Sequence, residues 1–288
     1  MNRTAEIAVT MDGRTPLVDA TINGRPAHLV FDTGADTTIL MTGAATKFDL
    51  TPTPNPPHVQ MTSQGKAIDL TFLRVRHFTF GAAAFDDIDF PATNAGMDVD
   101  GFLGQNHIGD QDVEIDLGHG VVRWFAPQGC SNAELAYWAG EAPVSTVDIE
   151  VASPRIFGIV EANGVFIRAM FDTGSPGSAF ESRAAGRAGV FPDSPGVTAT
   201  APALGLNPKF TPRTWSGTFG YFKIGRETIA NAQLKFIEKQ NASADMLIGA
   251  DFFLTHRVYI SKSRRELLFT YNGGDVFGSK SVAVAADR

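Results

Sequence analysis

The sequence predicts an all-β, bilobal molecule: two β-barrel lobes related by a pseudo-twofold axis, with a few short helices. Three observations predict it. The segment NGRPAHLVFDTG at 23–34 returns as NGVFIRAMFDTG at 163–174, so the Asn-Gly pair and the Asp both recur 140 residues on. The signals that follow each copy come in the same order, which is the mark of a duplicated structural unit. Strand-length apolar runs bounded by turn residues dominate, and helical periodicity is confined to short stretches.

Each element has its own reason. Leu17 to Ile22 is strand-like, turns at Asn23-Gly24 and resumes through Ala27 to Phe31. Asn-Gly between such runs signals a tight hairpin, because a primed turn needs positive φ at both central residues. Ile156 to Val160 and Val165 to Phe171 repeat the hairpin around Asn163-Gly164. Short helices are expected at 43–48 and 181–188, after each Asp-Thr-Gly. Two more are expected at 105–110 and 250–255, after Phe102-Leu103-Gly104 and its counterpart Leu247-Ile248-Gly249, now offset by 145 residues. FTFGAAAFDDIDF at 78–90 answers to FKIGRETIANAQLKF at 222–236. Each half closes on a hairpin, VEIDLGHGVVRWF at 113–125 turning at Gly118-His119-Gly120, and VYISKSRRELLFT at 258–270 turning between Ser261 and Arg264. The Pro-rich stretches 51–57 and 191–213 read as loops. Between the halves, Ser131 and Glu134 have the spacing of a capping box for a short helix. The expected organisation is a first lobe over 1–127, a linker with a short helix over 128–145, and a second lobe over 146–288.

Composition narrows the function. With 43% hydrophobic and 19% charged residues over 288 positions, the chain has the make-up of a soluble globular protein. A net charge of −7 favours neither nucleic acid nor anionic lipid as a partner. No run of eighteen apolar residues is present, so no membrane span is expected. Met1 to Glu6 lacks the apolar core of an export signal; the expectation is an exported protein if a leader has been trimmed, and a cytoplasmic one otherwise. The lone Cys130 rules out an intrachain disulfide framework and, with no His placed to activate it, reads as an inert thiol. The six histidines (28, 58, 77, 107, 119 and 256) form no zinc-binding spacing. The acidic stretches 86–89 and 98–100 lack full calcium-loop spacing. No metal and no cofactor are therefore expected.

One Asp-Thr-Gly alone is an ordinary polar turn. Two copies, each after an apolar strand (Leu29-Val30-Phe31 and Ala169-Met170-Phe171), are a different matter. A carboxylate at the inner end of a buried strand is costly unless it is paired, hydrogen-bonded or protonated. Across a pseudo-twofold axis Asp32 and Asp172 meet and share one proton, since two like charges in contact do not both ionise easily. Such a pair supplies a base for an attacking water and an acid for a carbonyl oxygen. In this arrangement Thr33 and Thr173 hydrogen-bond across the axis, and Gly34 and Gly174 let the backbone pass close beneath the carboxyls. Phe102-Leu103 and Leu247-Ile248 thread behind the Asp loops, with Gly104 and Gly249 permitting close approach.

Hydrophobic-Asp-Thr-Gly, followed about 70 residues later by hydrophobic-hydrophobic-Gly, resembles the retropepsin and pepsin superfamily of aspartic peptidases. Each half is of retropepsin-like size, and GFLGQN and LIGADFF resemble bacterial retropepsin-like domains, so the chain looks like two such domains fused. The resemblance spans roughly 15–125 and 150–270. It implies a bilobal acid-protease fold and an aspartic endopeptidase that is active as a monomer. A peptide or protein substrate would lie extended between the lobes under a flap, with no metal and no acyl-enzyme. The first motif continues Ala35-Asp36-Thr37, as in retropepsins, and the second Ser175-Pro176-Gly177, closer to pepsins. The Ser175 hydroxyl is thus placed to bond its own Asp and make the two carboxyls unequal. The flap is expected from His58 to Phe72, with its tip near Ser63-Gln64-Gly65. Ala201 to Asn207 is Pro-interrupted, and a displaced or altered second flap is expected there. The alternative function is a catalytically weak or inactive peptide-binding module of the same fold, which the presence of both Asp residues disfavours.

Overall fold

The computed structural model describes residues 1–57, 59–63, 66–95, 97–126, 135–150, 154–202, 206, 211–238, 243–278 and 282–284. The protein is all-β and bilobal, with short helices at Gly43–Lys47, Gln105–Ile108, Ser182–Arg187 and Ala250–Phe253. In Thr15–Ile22, alternation turns Val18, Ala20 and Ile22 inward and leaves Asp19 in solvent. That strand pairs with Arg25–Phe31 across Asn23 and Gly24, whose φ values are 51° and 77°. Ile156–Ala162 and Val165–Phe171 do the same across Asn163 and Gly164, at 48° and 82°. These angles are why Asn-Gly stands at both turns.

The remaining pairings are also made twice. Leu29, Val30 and Phe31 run parallel to Gly101–Leu103, as Ala169, Met170 and Phe171 do to Met246–Ile248. Ile39–Met41 and Ala179–Glu181 each lie between one antiparallel and one parallel neighbour. The long hairpins Thr71–Phe80 with Ala83–Thr93, and Thr214–Ile224 with Glu227–Ile237, complete the lobes. The Pro-rich stretches are not wholly loops. Thr51–Thr53 pairs with residues 72–74, and Thr198–Thr200 with residues 214–216. Pro52 is tolerated because its strand lies at a sheet edge, where a missing N–H on the outer side costs nothing.

The closing hairpins do not stay within their halves. They join in one antiparallel sheet in the order residues 2–8, Val121–Ala126, Asp112–Asp116, His256–Ser261, Glu266–Tyr271, residues 145–148. At its centre Val113 faces Ile260, Glu114 faces Tyr259 and Ile115 faces Val258. Under the 145-residue offset Glu114 and Tyr259 are equivalent positions, so the pseudo-twofold axis passes between them. One buried cluster runs unbroken through both halves, from Val18, Phe31 and Ile115 to Phe171, Val258 and Phe269. The expected linker helix start at Ser131 and Glu134 lies outside the described residues, as does Cys130. Leu135, Ala136 and Trp138, which follow, pack with Phe125, Tyr259 and Leu268 on the outer face of the shared sheet.

Candidate active site

Each Asp-Thr-Gly loop starts where its buried inner strand ends. Asp32 N donates to Leu103 O at 3.1 Å and Asp172 N to Ile248 O at 2.8 Å, so the hydrophobic-hydrophobic-Gly strand fixes the point where each loop leaves the sheet. The two loops are then bolted together. Thr33 N donates to Thr173 Oγ1 (3.1 Å) while Thr33 Oγ1 donates to Phe171 O (2.8 Å). Thr173 N donates to Thr33 Oγ1 (3.0 Å) and Thr173 Oγ1 to Phe31 O (2.6 Å). Both threonines are buried, so these four bonds face no competition from water.

The carboxyls of Asp32 and Asp172 end within hydrogen-bonding reach of each other. Gly34 N and Ala35 N donate to Asp32 Oδ1 at 2.8 and 3.0 Å, and Ser175 N donates to Asp172 Oδ1 at 3.1 Å. A Cβ on Gly34 would collide with the Asp172 carboxyl, and one on Gly174 with the Asp32 carboxyl. Only glycine allows the opposite acid that close. Gly104 and Gly249 serve the shell behind, where an added Cβ would lie 2.5 Å from Thr37 C and 2.6 Å from Gly177 C.

Asp32 is 8% exposed. Burial, and then the facing Asp172 carboxyl, hold it well above the usual carboxylate range. Burial raises Asp172 as well, against the pull of its hydrogen bonds and of the Arg155 guanidinium. The pair titrates as a unit and keeps one proton beyond the pH at which two separate carboxyls would have lost theirs. Each half also has an apolar cluster apart from the main core. In the first, Val30, Ile39, Met41, Ala95 and Phe102 pack together, with Met61, Ile68, Leu70 and Leu206 on them. In the second, Phe157, Met170 and Ala244 form the corresponding cluster, with Leu247 against it. Val30 and Met170 each stand two residues before their Asp.

A family model described as aspartyl protease matches residues 18–107 and 159–252, one match over each Asp-Thr-Gly. The chain belongs to the aspartyl protease family. The doubled match agrees with the doubled pairings, and makes this aspartyl protease family chain two retropepsin-like units fused in one polypeptide. No curated protein matches the chain.

One expected contact is absent. The Ser175 hydroxyl donates to Gly177 O at 2.9 Å rather than to Asp172, because the turn made by Ser175-Pro176-Gly177 brings that carbonyl back over it. Ser175 reaches the Asp172 carboxyl through its backbone N–H, at 3.1 Å, and the Gly174 backbone also bonds that carboxyl. Of the expected flap, residues 62–63 pair with residues 66–67, and Ile68 N donates to Met61 O at 3.1 Å. Gln64 and Gly65 at its tip lie outside the described residues, as do His58 and most of the 201–207 stretch.

Sequence reasoning passed over several contacts that the same offsets contain. Asp100 accepts from Lys47 Nζ (2.7 Å) and His28 N (2.9 Å). Asp245 accepts from Arg187 Nη2 (2.8 Å) and Arg168 N (3.3 Å). These are one arrangement repeated at offsets of 145 and 140 residues. Asn106 Oδ1 accepts from Thr38 N at 2.7 Å, and the equivalent Asp251 accepts from Ser178 N at 2.9 Å. No repeat announces Arg155, whose Nε meets Asp36 of the other half at 2.9 Å.

Proposed function

We propose that the chain is an aspartic-type endopeptidase that hydrolyses peptide bonds with a water activated between Asp32 and Asp172. The observation that carries this reading is the carboxyl pair itself: two acids held in contact by a reciprocal threonine brace, each backed by its own loop N–H groups. Two acids sharing one proton offer a base and an acid at one point. The carboxylate takes a proton from water as the oxygen attacks the scissile carbonyl carbon, and the carboxylic acid donates its proton to the carbonyl oxygen. Collapse of the resulting diol breaks the C–N bond: the proton taken from water goes to the leaving amine, and one diol hydroxyl returns its proton to the carboxylate that had acted as the acid, which leaves a carboxylic acid product and restores the one-proton pair. The apolar clusters beside Val30 and Met170 suit apolar substrate side chains on both flanks of an extended peptide. In this reading residues 62–63 and 66–67, which pair next to Met61 and Ile68 on the first cluster, supply the flap. A monomer is the expected working unit, because one chain carries both acids.

The test is cleavage of a peptide library between pH 3 and 7 by wild type, Asp32→Asn and Asp172→Asn. Each single variant is expected to lose at least about 10³-fold in kcat, because a pair acting as one device fails when either half is removed. Full turnover by either variant sinks the shared-pair mechanism. A wild type that binds peptides without cutting them supports the peptide-binding module instead.

A further inference from the structure

One chain of contacts reaches the Asp32 loop from the second half and, among the described residues, has no equivalent at Asp172. Lys262 lies in the turn between His256–Ser261 and Glu266–Tyr271, and its Nζ donates to Gln105 Oε1 at 3.1 Å and to Gly109 O at 2.5 Å. Gln105, 4% exposed, donates from Nε2 to Thr33 O at 2.9 Å. Thr33 O belongs to the same peptide group as the Gly34 N–H that donates to Asp32 Oδ1 at 2.8 Å. An ammonium only donates, so Lys262 dictates which end of the Gln105 amide is oxygen and thereby turns the NH₂ toward Thr33. Hydrogen bonds in series polarise one another, so a charge at one end strengthens the N–H at the other.

The second half keeps the backbone part of this support and lacks the side-chain part. Gln105 N donates to Ala35 O at 2.9 Å, and Ala250 N to Ser175 O at 2.8 Å. Under the 145-residue offset, however, Ala250 stands for Gln105 and Leu117 for Lys262, and neither side chain can donate or accept. We propose that Gln105 and Lys262 are positioning residues for Asp32, locking and polarising the Thr33–Gly34 peptide so that the pair loses its first proton at lower pH than an unbraced pair would. The charges around this relay are Asp110 and Asp112 near Lys262, Asp172 facing Asp32, and the Arg155–Asp36 pair beyond Ala35. Burial pulls Lys262 below the ordinary lysine value, and Asp110 and Asp112 pull it back in part.

The inference rests on the peptidase reading, and its test separates the two. Lys262→Met, Gln105→Glu and Lys262→Arg are compared with wild type for kcat, KM and the pH profile of peptide cleavage, and by carbon-13 NMR titration of the aspartate carboxyls. Gln105→Glu keeps a partner for Lys262 and, while ionised, cannot donate to Thr33 O. Lys262→Met and Gln105→Glu are expected to lower kcat about tenfold while KM moves less than about twofold. Both are expected to raise the acid limb of kcat/KM, and the lower carboxyl titration, by about half a pH unit. Lys262→Arg, which retains a charged donor, restores most of both. An unchanged pH profile and titration, with only a lower urea midpoint, overturns the proposal and leaves the relay a purely structural strut. Should wild type cleave no peptide, the peptidase reading falls, and the carboxyl titrations of the same variants still decide for or against the brace.

Discussion

The two threonines are the residues on which the site's geometry depends, because each hydroxyl both accepts an N–H from the other half and donates to a carbonyl there. Thr33→Val or Thr173→Val removes one buried hydroxyl and leaves an N–H and a carbonyl unmatched. Each is expected to cost about 2–3 kcal/mol in urea denaturation. The carboxyl pair works in the opposite sense. Because burial and the facing acid raise Asp32, the folded state holds its proton more tightly than the unfolded chain does. That contribution is fully present below the usual carboxylate range and is lost as pH rises through the raised value. Asp32→Asn is therefore expected to be more stable than wild type at pH 7 and to lose that advantage near pH 3, read from thermal midpoints at both pH values. These residues were legible in the sequence because the motif occurs twice and duplication implies an axis. The partner of Asp36 was not, since Arg155 is brought to it only by packing of the halves, with no local pattern to announce it.

At the scale of elements, the same short helix appears in both halves with different chemistry on one face. His107 packs its ring against Phe78, Phe85 and Phe90, where the equivalent Phe252 packs against Phe171 and Phe269. Burial pulls the His107 imidazole down from 6.5 to about 4, and its Nδ1 is tied to Thr38 Oγ1 at 2.8 Å. The unfolded chain takes up this proton first, so stability is lost as pH falls from about 6.5 toward 4. Allowing for the ring's partial exposure, the loss is about 2 kcal/mol. His107→Phe, copying the second half, is expected to flatten the urea-stability profile across that window; an unchanged slope there would assign the acid sensitivity to other groups. Hairpins, helices and closing segments were readable because each is set by local signals such as Asn-Gly or a hydrophobic-hydrophobic-Gly. The strands at 51–53 and 198–200 were not, because one holds a proline and both are short edge strands, where composition resembles a loop.

At the scale of the molecule, what joins the halves is a sheet that no single segment encodes. Its central pairing links residues 112–116 to 256–261, so its partners lie over a hundred residues apart and neither strand advertises the other. Glu114, 0% exposed on the axis, accepts from Arg123 Nη1 of its own half (2.5 Å) and from Arg257 of the other (3.0 Å from Nε and 2.8 Å from Nη2). A homodimer of first halves built on the same axis would place Glu114 opposite a second buried Glu114 instead of Tyr259. Fusion allowed the two central positions to differ, one an acid and the other an aromatic that packs with Phe125 and Trp138. Removing the acid strips two guanidinium groups of a buried partner, a change that costs about 3–5 kcal/mol when one member of such a set is lost. Glu114→Ala is therefore expected to lower the urea midpoint sharply while leaving a single transition by tryptophan fluorescence and circular dichroism. The shared core runs through both halves, so neither has a separate interior to fall back on when the central pairing weakens. Two resolved transitions in that variant would mean that the lobes fold independently and that the sheet only docks them.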